Sequence, residues 1–138
     1  MTTAADSVTM AILANRFDGI VREMSNTLLR AARSTVIAAA KDFSCAILTA
    51  DDELVTAADG LPVHVFGASL QSKAMRELHD DLTEGDAFLH NDPYLGNSHA
   101  ADHTLLAPIF IDGVHCFTVC AKAHQADIGN SAPTTYHA

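Results

Sequence analysis

The stretch that decides the fold is "HTLLAPIFI-DG-VHCFTVCAKAH", residues 103–124, in which Asp112 and Gly113 separate two apolar runs. Asp-Gly between apolar runs is one of the strongest short-range signals for a β-hairpin. The sequence therefore predicts two long antiparallel strands that meet at this turn. Their far ends form an open end, where the chain enters the first strand and leaves the second.

The pairing of the two strands follows from the length of the turn. If the turn holds two residues, Ile111 faces Val114, and pairing outward places Ala101 opposite His124. A bulge or a three-residue turn would shift the pairing by one residue and place Asp102 opposite His124. Both registers remain open from the sequence, and both bring the segments "NSHAADHTLL" and "AHQADIGN" together.

Each of these two segments contains a histidine followed three residues later by an aspartate: His99 with Asp102, and His124 with Asp127. Divalent Mn, Fe and Zn are commonly held by imidazoles and a carboxylate, with positions left open for substrate. The sequence thus predicts a metal-site hairpin at about residues 97–127, with ligands from His99, Asp102 and His124. Asp127 is either a fourth ligand or an acceptor that orients an imidazole.

The loop "HNDPYLGNSH" leads into the first strand and adds His90, Asn91 and Asp92. We expect these three residues to surround the site or the substrate rather than to bind the metal, although ordinary hydrogen bonding in a polar loop would also explain them. Other histidines have simpler explanations: His115 lies beside the turn, His103 points away from Asp102, and His79 lies on an exposed helix face. The place of His64 stays open.

Composition excludes several classes of function. The net charge is −9, and Lys122 is the only lysine or arginine after Arg76. A nucleic-acid-binding surface would need the opposite charge, so this class of function is excluded.

No apolar run is long enough for a membrane span and the N-terminus lacks a signal-peptide pattern, so a cytoplasmic protein is expected. Cys116 and Cys120 would lie about 13 Å apart in a strand, too far for a disulfide. No nucleotide-binding motif occurs, so no ATP site is expected in this chain.

The remaining sequence predicts an α+β fold in one domain, residues 1–138. Apolar residues at helical spacing predict a long N-terminal helix from about Val8 to Arg33, and a second helix at residues 69–82. The stretch "FSCAILTADDELVTAA" predicts another hairpin, "LPVHVFG" a linker and "AFLHNDP" a short strand. The two helices are expected to pack on the antiparallel hairpins.

Four blocks together resemble the N-terminal part of the hydantoinase B/oxoprolinase family, which includes the large subunits of acetone and acetophenone carboxylases. They are "KDFSCAILTADDELV", "GLPVHVFGAS", "EGDAFLHNDPYLGNSHAADHTLLAPIFIDG" and "AKAHQADIG". The resemblance runs from about Ala14 to Asn130. It departs from the family at Gln125, where members often have a second histidine, and at Lys41, where they often have arginine.

The resemblance implies an ATP-dependent multisubunit enzyme acting on a small carbonyl substrate, with ATP bound by a hydantoinase A-type partner subunit. In the acetone carboxylase branch two histidines and an aspartate hold manganese, which carries over to His99, Asp102 and His124. Mn²⁺ is therefore the expected metal, with Zn²⁺ or Fe²⁺ as alternatives, and the triad favours a ketone carboxylase. The alternative within the family is an ATP-dependent hydantoinase or 5-oxoprolinase, which opens a cyclic amide.

Family subunits are several times longer than this chain, so the resemblance also implies a fragment or a small subunit that is inactive without the remainder of the B-type subunit. Two further hypotheses come from other classes. One is a non-catalytic scaffold subunit in which the histidines and aspartates only order loops. The other is a stand-alone non-haem iron oxygenase, against which the small size counts. No catalytic residue is assigned by the sequence.

Overall fold

The computed structural model describes residues 6–58, 62–129 and 131. Its helices are α1 (Ser7–Ala31), α2 (Thr35–Ala38), α3 (Pro62–Phe66) and α4 (Ala68–Leu78), with a 3₁₀ turn at Pro93–Leu95. Its strands are β1 (Phe43–Thr49), β2 (Leu54–Ala57), β3 (Phe88–His90), β4 (Asp102–Ile111) and β5 (Val114–His124). Among these residues no helix is long and apolar enough to cross a bilayer.

The five strands form one antiparallel sheet in the order β2-β1-β5-β4-β3. Two hairpins build most of it: β1 with β2, and β4 with β5. The second hairpin lies at the centre, because β5 pairs with β1 on its other side, from Phe43 opposite Ala123 to Thr49 opposite Phe117. The predicted α+β fold is confirmed.

Alternating side chains of β1 divide the molecule into two layers, one on each face of the sheet. Cys45 and Ile47 pack with Val21 of α1, and these three residues are buried. Ala46 and Leu48 point to the opposite face, where they pack with Met75 and Ala68 of α4. The sheet therefore separates an α1 layer from an α4 layer, and the candidate site lies in the α4 layer.

The helices differ from the sequence prediction at two places. The long helix is confirmed, with Asp6 capping its first turn by accepting a hydrogen bond from the Thr9 amide at 2.7 Å. The predicted second helix is α4, which ends at Leu78 rather than at residue 82. The predicted linker "LPVHVFG" was wrong over most of its length, because α3 begins at Pro62. Proline suits the first turn of a helix, where its missing N–H would have no partner.

Two glycines allow the loop before β4 to lie directly on the start of α4. A Cβ atom on Gly67 would lie 1.9 Å from the carbonyl oxygen of Gly96, so no larger residue fits there without moving backbone. Gly96 itself has φ +99°, a left-handed conformation that favours glycine. This close approach positions the loop that carries His99.

Gly67→Ala should therefore lower the free energy of unfolding by roughly 1–3 kcal/mol, because the new methyl group overlaps a backbone carbonyl. Gly19→Ala is the matched control: a Cβ atom added at Gly19 in α1 would have nothing within 4 Å, so the same change should stabilise by up to about 1 kcal/mol through helix propensity. Urea denaturation measures whether each substitution lowers or raises the free energy of unfolding. Equal effects would contradict the close contact at Gly67.

An ion pair joins the first hairpin to α4. Asp52, in the β1–β2 turn with φ 67°, accepts hydrogen bonds from the Arg76 guanidinium, one of them from Nε at 3.1 Å. Burial alone raises the pKa of the Asp52 carboxyl, but hydrogen bonds and the charge of Arg76 outweigh it, so this pKa lies below its usual 3.8. A lowered pKa in the folded state means that the pair stabilises the fold above pH 3.8 and loses this effect as the pH falls further.

Arg76→Met should lower the free energy of unfolding by about 1 kcal/mol at pH 6, since the guanidinium is only partly buried. The difference from the wild type should shrink as the pH falls below 3.8, because Asp52 becomes protonated in both proteins. Lys73→Met is the control, because Lys73 pairs with Glu77 in an exposed contact at 3.7 Å that contributes little. A difference that is constant with pH would contradict this account.

Candidate metal centre

The register of the β4–β5 hairpin decides which side chains meet. Asp112 and Gly113 both have positive φ, 51° and 78°, as a two-residue turn of this kind requires. Ile111 pairs with Val114 beside the turn, and the register then shifts by one residue at a bulge after Ile109. The bulge places Asp102 directly opposite His124. Of the two registers that the sequence left open, the shifted one is therefore observed.

Three predicted ligands meet at the open end of this hairpin. The Nδ1 atom of His124 lies 2.9 Å from Oδ1 of Asp102, and Nε2 of His99 lies 3.6 Å from Oδ2 of the same carboxylate. One ligand atom from each of the three residues lies within 4.8 Å of the other two. Asp102 is fully buried, His124 nearly so, and His99 partly. The spacing allows one ion to contact all three.

The buried carboxylate of Asp102 is held in its ionised form. Burial by itself raises its pKa, but the hydrogen bond with His124 and the nearby imidazoles of His64 and His99 lower the pKa to about 2. A carboxylate at this depth needs partners, because an unpaired buried charge is strongly destabilising. The site thus presents one negative charge surrounded by imidazoles.

The chemistry of this cluster fits a divalent cation. Oδ2 of Asp102 is inaccessible to solvent, and the nearest imidazole nitrogens lie at 3.4 and 3.6 Å, beyond a normal N–H···O hydrogen bond. A cation between Oδ2 and the imidazoles would satisfy this acceptor. Two imidazoles and one carboxylate are also a donor set that Mn²⁺, Fe²⁺ and Zn²⁺ accept.

His64, whose place the sequence left open, also belongs to this cluster. It lies on α3, is 2% exposed, and its Nε2 atom is 3.4 Å from Oδ2 of Asp102 and 3.4 Å from Oδ1 of Asp42. The sequence pattern does not predict this contact, because the segment around His64 resembles a linker. The one available signal was Pro62, which suits the first turn of a helix that would carry His64 inward.

An asparagine braces the loop that carries the ligands. Nδ2 of Asn97 donates to the carbonyl oxygens of His99 and Asp102, both at 2.7 Å. Its Oδ1 accepts from Nε2 of Gln71 at 2.9 Å, and Gln71 is a fully buried residue of α4 that also donates to Thr104. Helix α4 thereby fixes the backbone on both sides of the His99–Asp102 segment. Asn97 suits a tight irregular backbone, but the sequence alone does not predict these contacts.

The other predicted residues make local contacts. Asn91 donates to the Ala100 carbonyl at 3.0 Å, and Asp92 caps the 3₁₀ turn through the Tyr94 amide. Asp127 is exposed and accepts from the Gly129 amide at 2.7 Å. His90 ends β3 opposite Thr104 and is partly buried. The structure does not bring these four residues into the three-ligand group, and their proposed role around the substrate stays a prediction.

A row of side chains follows the ligands along the same face of the sheet. The register aligns His90, Thr104, Lys122 and Ser44 across β3, β4, β5 and β1. Lys122 is fully buried, and its Nζ makes no hydrogen bond within the described residues. Burial lowers the pKa of this amine, against the opposing influence of Cys120 and Asp102. A buried amine therefore lies in the row next to the carboxylate.

A thiol nucleophile is a poor alternative for this site. Cys120 is buried in the apolar core that packs against α4, and burial raises the pKa of its thiol to about 12. Burial also raises the pKa of the Cys45 thiol. Both residues therefore remain protonated thiols at neutral pH and lack the nucleophilic thiolate form.

The hydantoinase B/oxoprolinase family matches residues 6–138, and the chain belongs to this family. 5-Oxoprolinase 1 of Arabidopsis thaliana is 37% identical over 130 residues, which cover 94% of this chain and 10% of that protein. Caprolactamase subunit beta of Pseudomonas jessenii is 31% identical over 133 residues, covering 96% of this chain and 23% of that protein. The chain thus spans a tenth to a quarter of the length of these relatives.

Two solved structures share the fold. The ATP-dependent caprolactamase of Pseudomonas jessenii superposes with a TM-score of 0.88 at 30% identity, over 98% of this chain and 24% of that chain. A nucleotide-free acetone carboxylase superposes with a TM-score of 0.84 at 22% identity, over 91% of this chain and 17% of that chain. At this lower identity the likeness to acetone carboxylase concerns the fold alone.

Asn97→Ala should lower the free energy of unfolding by about 1–3 kcal/mol, because it leaves buried partners of the amide unsatisfied. Asn97→Asp keeps the shape of the side chain but places an oxygen against two carbonyl oxygens. It should therefore lower the free energy of unfolding by at least as much as Asn97→Ala. Asn15→Ala, on the exposed side of α1, is the control and should be neutral or stabilising. The melting temperatures of the three variants are measured by thermal unfolding. A melting temperature of Asn97→Asp equal to that of the wild type would contradict the bracing role.

Proposed function

We propose that this chain carries the divalent metal site of a hydantoinase B-type subunit in an ATP-dependent multisubunit enzyme. The observation that carries the proposal is the group of His99, Asp102 and His124 around a buried carboxylate oxygen that lacks a normal hydrogen bond. Mn²⁺ is the metal we expect there, with Zn²⁺ and Fe²⁺ as alternatives. A metal at this place would act as a Lewis acid that polarises a substrate carbonyl.

Different residues of the chain would bind the metal and hold the ligands in place. His99 and His124 would supply neutral imidazoles, and Asp102 the single negative charge that offsets part of the metal's charge. Asn97 and Gln71 hold the backbone of the ligand loop, so the ligands keep their spacing without the metal. His99 is the most exposed of the three ligands, so we expect the substrate to approach from its side.

We propose a cyclic amide as the substrate class. The 5-oxoprolinases and the caprolactamase beta subunit, all above 30% identity, are named for lactams. The metal triad by itself favoured a ketone carboxylase. That second candidate is supported only by the shared fold of acetone carboxylase, at 22% identity. In both cases the nucleotide would be bound by a hydantoinase A-type partner, and the remainder of a B-type subunit would complete the pocket.

The metal site predicts that the intact protein binds about one divalent ion per chain. Elemental analysis after dialysis against Mn²⁺ should show this content in the wild type and its loss in the double variant His99→Ala/His124→Ala. His79→Ala is the control, because His79 is an exposed histidine at the end of α4. Unchanged metal content in the double variant would contradict the site. Full partner assembly with no metal in any variant would favour the scaffold hypothesis.

The substrate class is tested on the assembly purified with its partner subunits. ATP consumption is measured with 5-oxoproline or caprolactam in one arm, and with acetone plus bicarbonate in the other. Ring opening with the lactams supports the cyclic amidase, and carboxylate formation from the ketone supports the second candidate. The double variant should abolish product formation in whichever arm is active.

A further inference from the structure

A buried histidine outside the three ligands closes a ring of contacts around the site. His64 on α3 lies 3.4 Å from Asp102, and through the same nitrogen 3.4 Å from Asp42. The backbone carbonyl of Asp42 accepts a hydrogen bond from the His124 amide at 3.0 Å, and His124 in turn contacts Asp102 at 2.9 Å. Asp42, His64, Asp102 and His124 therefore form a closed cycle that joins α3 to β4, β5 and the residue before β1.

The contacts of His64 determine what its ring can do. Ionised carboxylates are acceptors only, so the tautomer of His64 that carries its hydrogen on Nε2 suits a position between Asp42 and Asp102, although both contacts, at 3.4 Å, are longer than a normal hydrogen bond. A nitrogen that carries a hydrogen has no lone pair for a metal. The other ring nitrogen, Nδ1, is buried and makes no hydrogen bond in the part of the chain that the structure describes. With Nε2 directed between the two carboxylates, His64 contacts Asp102 electrostatically rather than as a metal ligand.

We infer that His64 is a positioning residue for the metal site, and this inference rests on the proposed function. Its Nε2 atom, which also contacts Asp42, lies 3.4 Å from Oδ2 of Asp102 and limits the orientations in which the carboxylate can face His99 and His124. Rotation of this carboxylate would change the distance from Oδ2 to both imidazoles. Partners of this kind typically change metal affinity by about 10- to 100-fold when they are removed.

The test compares four variants in the intact protein. His64→Leu removes the N–H at similar volume, His64→Gln keeps a side-chain N–H able to reach the same place, and Asp42→Asn removes the charge that anchors the ring. His79→Leu is the control on an exposed histidine. Mn²⁺ affinity is measured by titration with electron paramagnetic resonance, which detects free Mn²⁺. The spectrum of bound Mn²⁺ reports the symmetry of its ligands.

We expect His64→Leu to weaken Mn²⁺ binding by about 10- to 100-fold and to alter the bound spectrum. His64→Gln should recover most of the affinity, Asp42→Asn should lie between them, and His79→Leu should match the wild type. Asp42 is partly exposed, so its variant keeps the test valid if His64→Leu does not fold. Wild-type affinity and spectrum in His64→Leu, or in Asp42→Asn, would overturn the inference.

Electron spin echo modulation distinguishes a positioning residue from a ligand, because it counts the imidazole nitrogens bound to Mn²⁺. Two such nitrogens are expected in the wild type and in His64→Gln. The loss of one nitrogen in His64→Gln would show that His64 is itself a ligand and would overturn the inference while leaving a metal site in place. Absence of bound Mn²⁺ in the wild type would instead refute the proposed function on which the inference rests.

Discussion

The contact between the Asp102 carboxylate and the His124 imidazole is the interaction on which the rest of the site depends. A carboxylate with no solvent exposure is tolerated only when its charge is matched by donors or cations. His124 supplies the closest donor, at 2.9 Å, across the central strand pair of the sheet. The surrounding features maintain this contact: the bulge sets the register, α3 brings His64 to the second oxygen, and Asn97 fixes the backbone of Asp102.

The sheet supports this site because the side chains on the face that packs against α4 change from apolar to polar along the strands. Near the middle, Ala46, Leu106 and Cys120 form an apolar row that packs against α4. The next row towards the open end contains Thr104 and Lys122, and the last contains Asp102 and His124. Apolar packing of the first row anchors the polar rows, so two of the three ligands, Asp102 and His124, lie on strands, while His99 lies on the loop before β4. A site on a rigid scaffold keeps its geometry better than a site on loops.

Family membership and geometry contribute different parts of the functional proposal. Membership in the hydantoinase B/oxoprolinase family comes from the sequence match over residues 6–138. The geometry adds a specific chemical group, a buried carboxylate between imidazoles, which suits a divalent cation. Relatives such as the caprolactamase beta subunit extend well beyond this segment, since the chain covers 23% of that protein. Substrate choice belongs to the proposal and depends on the complete assembly.

The sequence by itself determined the central hairpin and the two main helices, because turn chemistry and periodicity are local signals, and the family resemblance selected His99, Asp102 and His124 as candidate ligands. The Asp112-Gly113 turn needs only its own two residues to form, and it brings the start of β4 and the end of β5 to the same end of the hairpin. Only the tertiary structure decided the register. Without the bulge, Asp102 would pair with Ala123 and face the α1 layer, since a shift of one residue moves side chains to the other face. Tertiary packing likewise placed His64 and Lys122, because their positions depend on contacts between segments distant in the chain.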